Sequence, residues 1–98
     1  MIHRDAEIEL AAEVSYYEGK LEGLGLDFQA EAEAAVNSIR VAPDRWPIGK
    51  LDTRRCLLHR FPFSVVYIDL PDHIWIVAFA HGSRKPYYWK HRIVSTKN

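Results

Sequence analysis

A histidine, an arginine–lysine pair and two tyrosines crowd one short stretch near the end of the chain, His81-Gly82-Ser83-Arg84-Lys85-Pro86-Tyr87-Tyr88, followed at once by Trp89. Metal-free cleavage of a ribose phosphodiester needs a base for the 2′-hydroxyl, an acid for the leaving oxygen and cations for the developing phosphorane charge. By residue type, His81 or His59 could be the base, Tyr87 or Tyr88 the acid, and Arg84 or Arg55 the cation. The same residues also suit binding. An arginine fork donates two parallel hydrogen bonds to a phosphate, and aromatic rings can stack on unpaired bases. Histidine and tyrosine at strand ends serve packing and hydrogen bonding as well.

The stretch is positioned by an apolar strand, Ile74-Trp75-Ile76-Val77-Ala78-Phe79-Ala80, and Pro86 is expected to open a helical turn behind it. Strict alternation puts Ile74, Ile76, Ala78 and Ala80 on one face and Trp75, Val77, Phe79 and His81 on the other. The small alanine side is expected beneath helices. The Trp75/Phe79/His81 side either faces a groove or partner, or is covered within a central strand.

Two further strands are predicted, Arg54 to Arg60 and Phe63 to Leu70, rich in β-branched and aromatic residues and bounded by Pro62 and Pro71-Asp72. In the first, Arg54, Cys56, Leu58 and Arg60 share one face, with Arg55, Leu57 and His59 on the other. Links this short predict an antiparallel meander. Upstream, Leu10, Val14, Tyr17 and Leu21 recur at helical spacing, with Ile8 and Ala11 beside them, predicting a helix from about Asp5 to Glu22 with Asp5 as its cap. Gly23-Leu24-Gly25 breaks it, and a second stripe, Phe28, Ala32, Ala35, Val36 and Ile39, runs to Pro43. Helices first and strands afterwards predict an α+β fold. An N-terminal antiparallel helical hairpin would pack on a three- to four-stranded antiparallel sheet, with a short C-terminal helical turn.

With 98 residues the chain has room for one domain, residues 1–98, and 48% hydrophobic content suits an ordered core. The zero net charge conceals a split. Met1 to Ile39 holds nine acids and two bases, a net −7, whereas Arg40 to Asn98 holds eleven bases and four acids, a net +7. A basic half points to nucleic acid or an acidic protein partner, although acidic helices can simply be solvated. Arg54, Arg60, Arg84, Lys85, Trp89 and Arg92 are the candidate target-binding set. Arg55, His81, Arg84 and Tyr88 are the candidate catalytic set if the chain cleaves RNA. The five histidines are scattered without carboxylate or thiol at ligand spacing, so no metal or other cofactor is expected. A lone cysteine, Cys56, suits a reducing compartment and a buried inert thiol. Neither a signal peptide nor a membrane span is expected, which predicts a cytoplasmic location.

In this order the motifs resemble the RelE/ParE superfamily of toxins from bacterial type II toxin–antitoxin modules. The matching pieces are Ala6 with Tyr16-Tyr17, Gly23-Leu24-Gly25 with Phe28, Pro43, Arg54-Arg55, Phe61-Pro62-Phe63 leading to Val66-Tyr67, and Ala80-His81 with Arg84, Pro86 and Tyr88-Trp89. The resemblance covers nearly the whole chain. It implies a small α+β toxin held inactive by a cognate antitoxin that wraps it with a helix and an extended segment. It also implies one of two activities, poisoning of DNA gyrase or cleavage of mRNA on the ribosome. The helical hairpin, glycine turn and terminal block look more like the ParE side, and the central strands carry no lysine of the RelE-type set. A member that only binds antitoxin is the third reading. Homodimers or toxin–antitoxin hetero-oligomers are the expected assemblies. Because helix is reached by about Asp5, the short first strand common in the family is expected to be vestigial or absent. That would leave a sheet edge open to an antitoxin or a second copy.

Overall fold

Leu10, Val14 and Tyr17 do form one face of a helix, α1 (Arg4–Lys20), that packs on the core with Ala6 fully buried. The computed structural model describes residues 1–97. The stripe ends sooner than its spacing suggests, for Leu21 and Ile8 are both exposed. His3 caps the helix in place of Asp5: its Nδ1 accepts the Asp5 backbone N–H at 3.0 Å. Gly23 turns the chain with φ 86°, and the Glu18 carboxylate accepts the backbone N–H groups of Gly23 and Gly25, both at 2.9 Å. One side chain thus satisfies two orphan donors at the start of α2 (Leu24–Val41). All five residues of the predicted second stripe are buried there. Phe28, with no exposed surface, stacks edge-on with Phe61 and Phe63, a burial worth about 1.5–3 kcal/mol.

Two short 3-10 turns, Pro43–Arg45 and Lys50–Asp52, lead into an antiparallel sheet of β1 (Arg54–Leu57), β2 (Phe63–Asp69) and β3 (Ile74–His81) in that spatial order. The helical hairpin packs on one face, and a C-terminal helix, α3 (Lys90–Lys97), follows, which makes an α+β fold. β1 is shorter than expected. Its ladder stops at the Leu57–Ser64 pair, and residues 58–62 turn back instead of extending it. His59 therefore leaves the Arg55/Leu57 face. β2, not β3, is the central strand.

The faces of β3 follow strict alternation from Ile74 to Val77 and are reversed from Ala78 to Ala80. Val66 pairs with Ala78 and Tyr67 with Ile76, so Val77 is an extra residue opposite the Val66–Tyr67 step. This bulge shifts the side-chain phase by one. Ile74, Ile76 and Phe79 consequently pack with the helices, whereas Trp75, Val77, Ala78 and Ala80 cluster with Trp89 and Ile93 on the far face.

The N-terminal strand survives as a vestige, a single parallel bridge between Ile2 and Ile76. His3 N–H donates to the Ile76 carbonyl at 2.9 Å and Ile76 N–H to the Met1 carbonyl at 2.8 Å. Beyond it the β3 edge is not open, contrary to expectation. Glu9 accepts the Phe79 N–H at 3.1 Å, and the Arg92 guanidinium donates to the Val77 carbonyl at 3.0 Å. β1 is the opposite edge of the sheet, with no partner strand on its outer side among the described residues. Among the described residues, no helix is long and apolar enough to cross a membrane.

Candidate functional site

On the sheet face away from the hairpin lies a groove of about 680 Å³. Its floor is made by β1, β2 and β3 through Arg55, Leu57, Ser64, Val66, Ala80 and His81. One wall is the Trp46–Lys50 segment and the other the Gly82–Trp89 segment. Pleating explains the floor: Arg55 and Leu57 are two apart on a strand and share a face, while Cys56 between them is buried toward the helices. Burial pushes the Cys56 thiol pKa up, as suits an inert core residue.

Backbone strain at side-chain-bearing residues lies in one wall and just beyond the other. Tyr87 has φ 60°, and Leu51 and Asp52, next in sequence to the wall residue Lys50, have φ 59° and 60°. Lys50 reaches across, its Nζ lying 5.0 Å from the Tyr87 ring centroid. The expected helical turn at Pro86 is thus a tight turn with a left-handed Tyr87, and helix begins only at Lys90.

Arg55, His81, Arg84, Lys85 and the rings of Tyr88 and Trp89 are brought together in this groove. The Ser83 backbone N–H donates to His81 Nδ1 at 2.9 Å, and the Ser83 hydroxyl lies 2.7 Å from the same nitrogen. With Nδ1 accepting, the neutral ring carries its proton on Nε2. The guanidinium of Arg84 stacks 3.9 Å from the Tyr88 ring centroid. The Tyr88 hydroxyl, in turn, donates to Glu9 at 2.5 Å. Burial first, then the hydrogen bond to Glu9 and its charge, push this hydroxyl's pKa well above the ordinary phenol range.

Four candidates serve other purposes. Arg92 is buried, donating to Glu9 at 2.9 and 3.0 Å, with Asp5 3.8 Å away. Burial alone would depress its pKa, but the bonds to Glu9 and the charges around it raise it. Trp89 is also buried, as the centre of the apolar cluster beneath the groove, because its large ring fills the space left by Ala78 and Ala80. Arg60 lies on the helical side, 3.2 Å from Asp27 and 3.8 Å from Glu31, because β1 ends before it. Arg54 donates to the Trp46 carbonyl at 2.5 Å and lines a separate cavity of about 260 Å³ together with Asp52 and Asp69. Arg92, Arg60 and Arg54 therefore lie outside the groove that holds Arg84 and Lys85, and Trp89 meets it from the buried cluster beneath. His59 also lies outside the groove, its backbone N–H bonded to Glu31 on α2.

Two residues that shape the groove escape a reading of spacing. Lys50 completes the groove's cations from a connector without periodicity. Glu9 looks like one more solvated acid of α1 yet organises both Tyr88 and Arg92. Among the described residues, no group of three His, Cys, Asp or Glu side chains is placed to hold a metal ion. Lys50, Arg55, Arg84 and Lys85 share a groove whose lining has no carboxylate, and the arrangement is suited to holding an anionic surface. Compared with known proteins, the chain matches no protein-family model and no curated protein.

Proposed function

We propose that this chain is the ParE-like toxin of a type II toxin–antitoxin module, acting in the cytoplasm. It arrests growth by binding a protein target, DNA gyrase, and a cognate antitoxin neutralises it. The observation that carries this reading is the state of the groove's would-be acid and base. Tyr88 gives its hydroxyl to Glu9, and the His81 nitrogen that could accept a proton already accepts from Ser83. With Tyr88 and His81 so engaged, what the groove chiefly offers is a cationic binding surface. Purified protein added in molar excess to gyrase should block supercoiling, and addition of the neighbouring antitoxin should restore it. Undisturbed supercoiling at that excess rules the reading out.

A second reading rests on the convergence of Arg55, His81 and Arg84 in one groove. It makes the chain a metal-independent endoribonuclease acting on ribosome-bound mRNA, the two arginines balancing phosphorane charge. Primer extension on translating ribosomes decides it. Codon-linked cuts that vanish in Arg84→Ala support cleavage, and their absence in the parent chain rejects it.

A further inference from the structure

The turn that follows β3 holds a hydroxyl against a base. The Ser83 backbone N–H can only donate, so His81 Nδ1, 2.9 Å away, is an acceptor. The Ser83 hydroxyl, 2.7 Å from the same nitrogen, is therefore its second donor. This contact takes His81 away from a bound substrate and aims the imidazole at a hydroxyl of the chain's own. Serine is a weak nucleophile until an adjacent, well-held base accepts its proton.

Both partners are well held. His81 meets the Phe63 ring edge-on at 4.8 Å. The turn is closed by the Arg84 N–H on the His81 carbonyl at 3.0 Å and by the Gly82 N–H on the Pro62 carbonyl at 2.7 Å. Ser83 is nonetheless exposed, so a reagent can reach it.

The surroundings select the electrophile. His81 lines the groove together with Arg84, Lys85, Arg55 and Lys50, and that lining has no carboxylate. Attack on an acyl carbon needs donors for an oxyanion, and the N–H groups of Gly82, Ser83 and Arg84 are already engaged within the turn. Attack on phosphorus needs cations around the phosphoryl oxygens, which the groove supplies. A nucleobase finds no free ring to stack on. Arg45 lies 5.3 Å from the Trp46 centroid, Lys50 5.0 Å from Tyr87 and Arg84 3.9 Å from Tyr88, so the chain's own cations cover the rings. The donor that fits is small, anionic and without a base.

We propose that Ser83 is a phosphoryl-acceptor site, modified by a small mixed anhydride of phosphate and a carboxylic acid, with His81 as the base. Ser83 Oγ forms the new bond to phosphorus. The bond from phosphorus to the bridging oxygen breaks, and the carboxylate leaves with that electron pair. The hydroxyl proton passes to His81 Nδ1 and from there to water. A phosphoserine carries about two negative charges, placed here directly before Arg84 and Lys85 in the chain. It offsets half of the groove's four cations. The site stands on the geometry of the turn, whereas its effect, a weaker grip on the target, rests on the protein-binding reading above.

The test incubates the full chain with acetyl phosphate at neutral pH and maps acid-stable phosphate on its peptides by mass spectrometry. Ser83 should be labelled at least about tenfold faster than Ser15, exposed on α1, or Ser64, which lines the groove. His81→Gln should slow labelling of Ser83 about a hundredfold, as loss of a positioned base does. Circular dichroism of the variant keeps misfolding out of the result, and the distribution over the three serines in the parent chain needs no variant. Equal labelling of those serines, acid-labile phosphate on His81 itself, transfer of acetyl in place of phosphoryl, or an undiminished rate in His81→Gln overturns the proposal. An unlabelled Ser83 with gyrase inhibition intact removes only this inference. Labelling of Ser83 in a chain that leaves gyrase untouched removes only the proposed target.

Discussion

Glu9 and Arg92 lie 83 positions apart in sequence yet meet through two hydrogen bonds, at 2.9 and 3.0 Å, across the outer edge of β3. The pair does more than join α1 to the C-terminal segment. Glu9 also takes the Phe79 N–H and the Tyr88 O–H, and Arg92 reaches the Val77 carbonyl. Two side chains thus stand in for the missing part of a neighbouring strand, satisfying backbone groups that the Met1–His3 vestige is too short to reach.

Removing one partner should therefore cost more than the ion pair itself. Glu9→Ala leaves a buried guanidinium, an amide and a phenol without their acceptor, and a loss of about 3–5 kcal/mol is expected. Glu9→Gln keeps an acceptor for Phe79 or Tyr88 and should lose less. In a Glu9→Leu/Arg92→Leu double variant the combined loss should fall short of the two single losses together. Urea midpoints at neutral pH measure all of these. Strict additivity would show that the two residues act separately.

The hairpin crossing gives a second expectation. A Cβ on Gly25 would sit 2.4 Å from the Val14 carbonyl oxygen and 2.9 Å from the Glu18 Cβ, and the backbone atom cannot step aside. Gly25→Ala should push α1 and α2 apart at a cost of about 1–3 kcal/mol. Gly19, inside α1, has nothing within 4 Å of its added Cβ. Gly19→Ala should stabilise by up to about 1 kcal/mol through helix propensity alone. Opposite shifts in thermal midpoint are expected, and a neutral Gly25→Ala would mean that the crossing has slack.

Alkaline pH should unfold the protein through Tyr67. Burial raises its pKa to about 12 from the ordinary 10, and its hydroxyl donates to the Pro43 carbonyl at 2.5 Å. The folded state holds the phenol proton where the unfolded chain has released it. Its contribution is thus whole below pH 10 and is lost as pH rises toward about 12. The raised pKa of Tyr88 acts in the same direction. Denaturation midpoints should fall across that window, and Tyr67→Phe should flatten the fall. An equally steep fall in Tyr67→Phe would assign it to other groups.

How much of this could be read from residue order depends on how local the cause is. The stripe Phe28, Ala32, Ala35, Val36 and Ile39 is buried as its helical spacing requires, since a period of 3.6 is a property of one segment. The end of β3, from Ala78 on, inverted its faces because Val77 is an extra residue relative to β2, and a bulge belongs to a pair of strands. Arg55, His81 and Arg84 were recognisable as candidate site residues from their types, while their meeting in one groove is a property of the fold. Arg92 was not distinguishable from them. Only the partner it meets across the fold, Glu9, makes it a buried structural cation.

That difference between arginines can be tested in cells. Arg60 pairs with Asp27 on the helical side, and both side chains are more than half exposed, at 60% and 56%. Such a pair contributes about 0–1 kcal/mol. Arg60→Ala should therefore fold normally and still arrest growth when induced without antitoxin. Arg55→Glu, also exposed but set in the groove floor, should fold as well yet lose the arrest if the groove is where the proposed target docks, because it reverses a charge there. If Arg60→Ala were the variant that lost toxicity with folding intact, the contact surface would be the helical side of β1. The groove would then be bystander architecture.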